Sequence, residues 1–112
     1  MDNKQNIAQT AIIKTGFANL MRGLENVGGR LTLSAKEINF TPHALNIQTQ
    51  PVSIPLESVT STSLGFTYFL NIPVFPNALV VESQTGQYRF TVYGRKKWQL
   101  AINSALGKQA IL

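Results

Sequence analysis

The sequence contains no cysteine. That excludes disulfides, thiolate metal sites and a cysteine nucleophile, and it fits a reducing compartment. A single histidine, His43, rules out a multi-histidine metal cluster. Charge is scarce as well: Asp, Glu, Lys and Arg make up 13% of the residues, against the usual ~25%. Catalysis by a lone histidine needs an orienting carboxylate and a nucleophile. Glu25, Glu37, Glu57 and Glu82 are scattered without pairing, and no serine sits in a nucleophile-elbow pattern. The expectation is a chain that is not an enzyme and holds no metal or cofactor, with His43 a structural residue in a turn. Gly28-Gly29 lacks the Lys-Ser/Thr that would make it a phosphate loop and reads as a turn. No apolar run reaches the ~18 residues that span a membrane; the longest, Leu64 to Phe75, is broken by Gly65, Thr67, Asn71 and Pro73. The polar start, Met1 to Asn6, reads as a tail without the apolar core of a signal peptide. These absences predict a cytoplasmic protein, free or peripheral at a membrane.

What is present fits one small domain over residues 1–112. Hydrophobic residues make up 44%, ordinary for a globular chain, and they fall in short period-2 runs followed by one period-3.6 run. Ile7, Ala11, Ile13, Thr15 and Phe17 occupy odd positions of a first strand, although Ile12 breaks the alternation and leaves a helix open there. Leu31 and Leu33, a turn over Ser34 to Glu37, then Ile38 and Phe40 read as a hairpin that Pro42 ends. Leu45 and Ile47 begin another short segment. Val52, Ile54 and Leu56 alternate around Pro55, which must lie at an edge or bulge. Val59 to Phe66 reads as a strand, and Asn71 to Asn77, with two prolines, as a loop. Ala78 to Ser83 and Tyr88 to Tyr93 form the clearest hairpin, with Gly86 able to take a positive φ in its turn. Trp98, Ala101, Ile102, Ala105 and Leu106 then make one apolar stripe, which predicts a helix over about 95–106 with Trp98 buried and Gly107 as its left-handed end. Strands followed by a single helix argue an α+β, mainly β, capped barrel rather than βαβ units.

Three stretches carry a resemblance. They are Gly29-Arg30-Leu31-Thr32-Leu33 with Ile38-Asn39-Phe40-Thr41-Pro42-His43; Leu45-Asn46-Ile47-Gln48 leading to Ile54-Pro55-Leu56 and Val59; and Pro76-Asn77-Ala78-Leu79-Val80-Val81 followed by Tyr88-Arg89-Phe90 and Tyr93-Gly94-Arg95-Lys96-Lys97-Trp98. In order and spacing they resemble the GRAM domain, a branch of the pleckstrin-homology-like superfamily in which many bacterial members stand alone, over about residues 25 to 105. The resemblance implies a PH-like partly open antiparallel barrel of about seven strands, capped by a C-terminal helix. It also implies a lipid- or protein-binding module without catalysis. The stretch between Leu64 and Pro76 is longer than the resemblance implies.

Candidate site residues follow from charge. Ten Lys and Arg against five Asp and Glu give a net charge of +5, which favours anionic partners or simply keeps the chain soluble. Arg95, Lys96 and Lys97 stand where the helix begins, a place where cations oppose the macrodipole. Free helix N–H groups with three cations suit a phosphate or carboxylate; a solvated barrel edge is the alternative. Each cation near an anionic bilayer contributes roughly 1 kcal/mol, so three give roughly a hundredfold. Stable recruitment would need more: Arg30 or Arg89, or an inserted apolar loop. Phe66, Tyr68, Phe69, Leu70 and Ile72, with Val74 and Phe75, supply such a loop if exposed, but aromatics in a small barrel are expected to fill its core. The partner expected is thus a protein or an anionic lipid headgroup. A nucleic-acid interface built on Tyr88, Arg89, Tyr93 and Arg95 is the runner-up, weakened because alternation turns Tyr88 inward with Phe90.

Overall fold

The computed structural model describes residues 11–23, 25–43 and 50–111. Seven strands precede one helix: β1 (Ile12–Arg22), β2 (Glu25–Ser34), β3 (Glu37–Pro42), β4 (Val52–Pro55), β5 (Val59–Phe69), β6 (Ile72–Ser83), β7 (Gly86–Val92) and α1 (Arg95–Ile111). All pair antiparallel in one sheet of order β4-β3-β2-β1-β7-β6-β5. β1 is the spine: it pairs with β2 along its length and with β7 through Ala18–Leu20. The sheet curls into a half-barrel, and α1 plugs one end of it. The mainly β, helix-capped class expected from the change of period is the one observed.

The core is the inward set of those alternating runs. Val27, Leu31 and Leu33 of β2, Ile38 and Phe40 of β3, Ile54 of β4, Leu79 and Val81 of β6, and Phe90 of β7 are fully buried, with Trp98 and Ile102 of α1 laid over them. The Phe40 and Phe90 rings meet 5.8 Å apart and join the two halves of the curl; such tilted pairs contribute beyond their buried area. A 3₁₀ turn, Leu56–Ser58, makes the corner between β4 and β5. The Leu56 N–H donates to the Lys36 carbonyl (2.8 Å), and the Gln84 N–H to the Ser58 carbonyl (2.9 Å).

The hairpin of β2 and β3, the edge position of Pro55 in β4, the positive φ of Gly86 and the burial of Trp98 all match expectation. Five expectations are corrected. β1 begins at Ile12, and its inner face is the even one: Ala18 and Leu20 are buried, whereas Ile13 and Phe17 point outward. Gly28-Gly29 is no turn but lies inside β2. Asn71 to Asn77 is no loop but the first half of β6, and β5 runs on to Phe69. Prolines are tolerated there because β7 pairs with β6 only from Ala78 onward, so Pro73 and Pro76 face a bare edge. The Leu64 to Phe75 aromatics are not core residues: Phe66, Phe69, Leu70, Ile72, Val74 and Phe75 are exposed. Finally, Gly107 does not end α1, which continues to Ile111; an exposed helical glycine costs about 1 kcal/mol, and Lys108, Gln109 and Ala110 favour helix. Ile7, Leu45, Ile47 and the tail 1–6 lie outside the described residues.

One acid has a pH signature. Glu37 accepts hydrogen bonds from the Ser53 hydroxyl (2.7 Å) and the Asn39 amide (3.1 Å). Both, the Ser53 bond first, hold its carboxyl below the usual carboxylate range. A depressed folded pKa contributes stability that is complete above the unfolded value and lost as pH falls through the folded one. Parent protein should therefore lose a small increment of stability below about pH 4.3 that Glu37→Gln lacks. Denaturant titrations from pH 7 to 3 on both proteins check this; parallel curves would remove the assignment.

Candidate functional site

Register brings three residues from distant parts of the chain side by side. Asn19 of β1 pairs with Gly28 of β2 on one side and Thr91 of β7 on the other. Together they floor a groove of about 770 Å³ on the outer surface of the sheet. Gly28 adds no side chain to that floor. Phe17 and His43 form one wall, with ring centroids 6.0 Å apart. Pro76 and Asn77 form a second. Gly94, Arg95, Lys96 and Lys97 close the groove with the start of α1. Among the described residues no acidic one lines it.

Gly94 adopts φ 71°, turning β7 into the helix. The first helical bond runs from the Trp98 N–H to the Gly94 carbonyl (3.0 Å). The amide N–H groups of Arg95, Lys96 and Lys97 therefore have no acceptor within the helix, and the first turn carries no acid. Helix dipole and side chains add positive potential in one place. Lys96 and Lys97 are exposed. Arg95 is different: its guanidinium donates to the Gly65 carbonyl (2.8 Å) and ties the helix start to β5. The other two predicted cations do not line the groove. Arg30 lies 4.7 Å from the Phe17 ring centroid, with Nη1 3.4 Å from the Thr15 hydroxyl. Arg89 donates to the Phe66 carbonyl (2.9 Å) and sits 5.1 Å from the Tyr68 ring centroid.

Beyond the groove wall β5 and β6 run on as a two-stranded arm. At its root the Thr67 hydroxyl is buried, bonded to Asn77 Oδ1 (2.5 Å) and the Thr91 hydroxyl (2.6 Å). Register shifts around Thr67 accommodate the prolines. The tip is a two-residue turn with Leu70 at φ 49° and Asn71 at φ 68°. Asn and Gly suit that left-handed conformation; a leucine held there costs about 1–2 kcal/mol. The predicted apolar residues Phe66, Tyr68, Phe69, Leu70 and Ile72 thus come together on the arm, and Arg95, Lys96 and Lys97 at the groove beside its root. Sequence reasoning missed Asn19, Asn77 and Thr91 as groove residues, and it read His43 as structural only.

Among the described residues no three of His, Asp and Glu converge to hold a metal, and no helix is long and apolar enough to cross a membrane. Tyr88 is half-buried against the core, as alternation predicts, whereas Tyr93 at the groove is exposed. The groove's cations and N–H donors can hold an anionic group.

Neither a protein-family model nor a curated protein sequence matches the chain. Solved structures do. The C-terminal domain of a protein of unknown function from Leishmania infantum superposes with TM-score 0.70 at 14% identity, over 91% of this chain and 89% of its own. The N-terminal PH domain of human ARAP2 gives 0.64 at 15% identity, over 86% and 80%. The Slm1 PH domain, in a structure described as binding ligand in the non-canonical site, gives 0.62 at 13%, over 85% and 97%. At such identities the likeness is one of fold, and the fold of this chain is PH-like.

Proposed function

We propose that the chain is a non-catalytic docking module of GRAM type that holds the anionic groups of a lipid surface or an acidic partner. It would work in the cytoplasm at a membrane periphery. The observation that carries this reading is the groove, without an acid among the described residues that line it, closed by Lys96, Lys97 and the first-turn amides that lack an acceptor within the helix. Slm1 PH domains have been solved in complex with phosphoserine and with inositol 4-phosphate, so the fold accommodates ligands of this chemistry. The described residues of the groove offer cations and N–H donors for an anion.

The test is charge reversal at Lys96 and Lys97. Glutamate near the positive end of α1 should leave stability unchanged or raise it, by roughly 0.3–1 kcal/mol per residue. Binding should move the other way. Reversing two cations changes four units of charge at roughly 1 kcal/mol each, so affinity for inositol hexakisphosphate or for phosphatidylserine vesicles should fall by about 10³. In the parent, binding should weaken with salt, since exposed charges are screened within about 8 Å at physiological ionic strength. A double variant that melts no lower and loses the polyanion supports the site. One that melts higher and binds as before makes the cluster a solvated edge.

A further inference from the structure

We infer that the β5–β6 arm inserts its tip into the interfacial layer of an anionic bilayer while the basic groove at its root holds the headgroups. This rests on the reading of the groove as an anion site and names the surface that the groove meets.

The arm has unusual chemistry for exposed protein. From Leu64 to Ala78 there is no charged residue. Phe69, Leu70 and Ile72 at the tip are 63%, 59% and 61% exposed, and Phe66, Val74 and Phe75 are exposed behind them. Isolated apolar residues on a surface are ordinary, but a contiguous apolar patch marks a contact. Leu70 stands at a left-handed turn position, where turn chemistry favours Asn or Gly. Its presence there serves something other than the turn, and strain of this kind collects at functional sites.

Two features select a bilayer over a protein strand or a second copy. First, the apolar residues are spread over both strands and the turn instead of forming one stripe. That suits a medium without direction better than a partner with a complementary face. Second, the edges are blunted against strand addition. Pro73 and Pro76 lack N–H groups along the bare edge of β6, and on β5 the Gly65 and Phe66 carbonyls are taken by Arg95 and Arg89. Charge completes the match. The arm's root, Pro76 and Asn77, is a wall of the groove that Lys96 and Lys97 close. Six residue steps lead from Asn77 to Asn71, about 20 Å at ~3.3 Å each. An oblique arm with its tip buried about 5–10 Å therefore brings the lysines to headgroup level. The Arg89 guanidinium over Tyr68 places an amphipathic pair part-way along, where interfacial residues sit.

The experiment uses vesicles of phosphatidylcholine with and without phosphatidylserine, and inositol hexakisphosphate as soluble polyanion. The variant Phe69→Ser/Leu70→Ser/Ile72→Ser should melt like the parent, since all three side chains are exposed, and should keep its polyanion affinity. Its affinity for phosphatidylserine vesicles should fall by on the order of 10² or more. A second variant, Leu70→Trp, reports directly: its emission should shift to the blue on those vesicles and be quenched by brominated acyl chains, against the constant background of buried Trp98. The inference is overturned if the triple variant binds vesicles like the parent, if Leu70→Trp is not quenched on vesicles that bind the protein, or if the parent binds polyanion and no vesicle. It is equally overturned if the parent is a dimer that the triple variant resolves to monomers. In these cases the groove reading survives. A parent that binds both vesicle types equally, through a quenched Leu70→Trp, without binding polyanion would overturn both the groove reading and the anionic surface inferred here. No binding to any of the three would sink both.

Discussion

Trp98→Ala should lower unfolding stability by about 3–5 kcal/mol, the range for removing a fully buried large side chain. Domains of this kind have about 5–15 kcal/mol in total, so the variant should be largely unfolded at modest temperature. The size of the effect follows from where the ring sits. Trp98 is 2% exposed in the first turn of α1, continuous with Ile102 and Ala105 in the core cluster. An added Cβ at Gly16 of β1 would lie 3.6 Å from its six-membered ring, ordinary van der Waals contact. Lys14 Nζ lies 5.2 Å from the ring centroid, a cation–π distance. Beside the apolar stripe of Ile102 and Ala105, the helix meets the sheet through thin polar contacts: the Arg95 guanidinium donates to the Gly65 carbonyl, the Gln99 amide to the Thr62 carbonyl (3.3 Å), and the Thr62 hydroxyl to Asn103 Oδ1 (2.9 Å). With the ring gone, the smaller apolar contacts of Ile102 and Ala105 and those exposed or half-buried bonds, at about 0.5–1.5 kcal/mol each, are what remains to hold the barrel end closed. Because Lys96 and Lys97 precede Trp98 directly, the groove should be lost together with the fold. Urea denaturation of the variant, with Trp98→Phe as an intermediate case, measures this. A loss below about 1 kcal/mol would mean that α1 is docked by something other than its tryptophan.

What could be read from residues alone follows a physical line. Period-2 runs that end inside the core, such as Leu31 to Phe40 and Leu79 to Phe90, announce strands because burial imposes the alternation. The 3.6-residue stripe of α1 announces a helix for the same reason. The basic cluster was legible because its three residues are contiguous. The rest of the groove was not, because Asn19, Thr91 and Asn77 are ordinary polar residues until strand register sets them together. The first strand misleads for a different reason. Its larger apolar side chains, Ile13 and Phe17, are on the outside, and the inner face carries Ala18 and Leu20. Size and hydrophobicity point one way and burial the other, as happens where an apolar surface is kept exposed. The arm misleads twice. Its prolines argue against a strand, yet they sit on an edge with no neighbour; its aromatics argue for core, yet the arm leaves the core behind.

Gly29→Ala should be far more damaging than Gly28→Ala, although the two glycines are neighbours and both look like turn residues in the sequence. Neither is in a turn, and neither has a φ that only glycine prefers. What separates them is space. A Cβ on Gly29 would lie 2.4 Å from the Thr41 carbonyl oxygen, 2.7 Å from Phe40 Cζ and 2.9 Å from the Pro42 Cα. Two of those three obstacles are backbone of β3, and Gly29 is paired with Pro42 itself. The methyl fits only if β2 and β3 move apart, and the third obstacle, the Phe40 ring, is locked against Phe90 in the core. Overpacking of this kind costs about 1–3 kcal/mol or more, and the upper end applies where backbone must shift. A Cβ on Gly28 meets Asn19 Oδ1 at 3.0 Å and His43 Cδ2 at 3.5 Å, both side-chain atoms with open groove beside them. They can give way, and alanine restricts the unfolded chain, a gain of about 0.4–1 kcal/mol where the conformation allows it. Stability of Gly28→Ala should therefore stay within about 0.5 kcal/mol of the parent, the range of an ordinary surface change. Its methyl nevertheless raises the groove floor between Asn19 and His43, so polyanion binding should weaken while the melt does not. Paired thermal melts and one binding titration decide the matter. If both variants melt alike, close strand approach is not why Gly29 is a glycine; if Gly28→Ala binds polyanion as tightly as the parent, the ligand does not reach the groove floor.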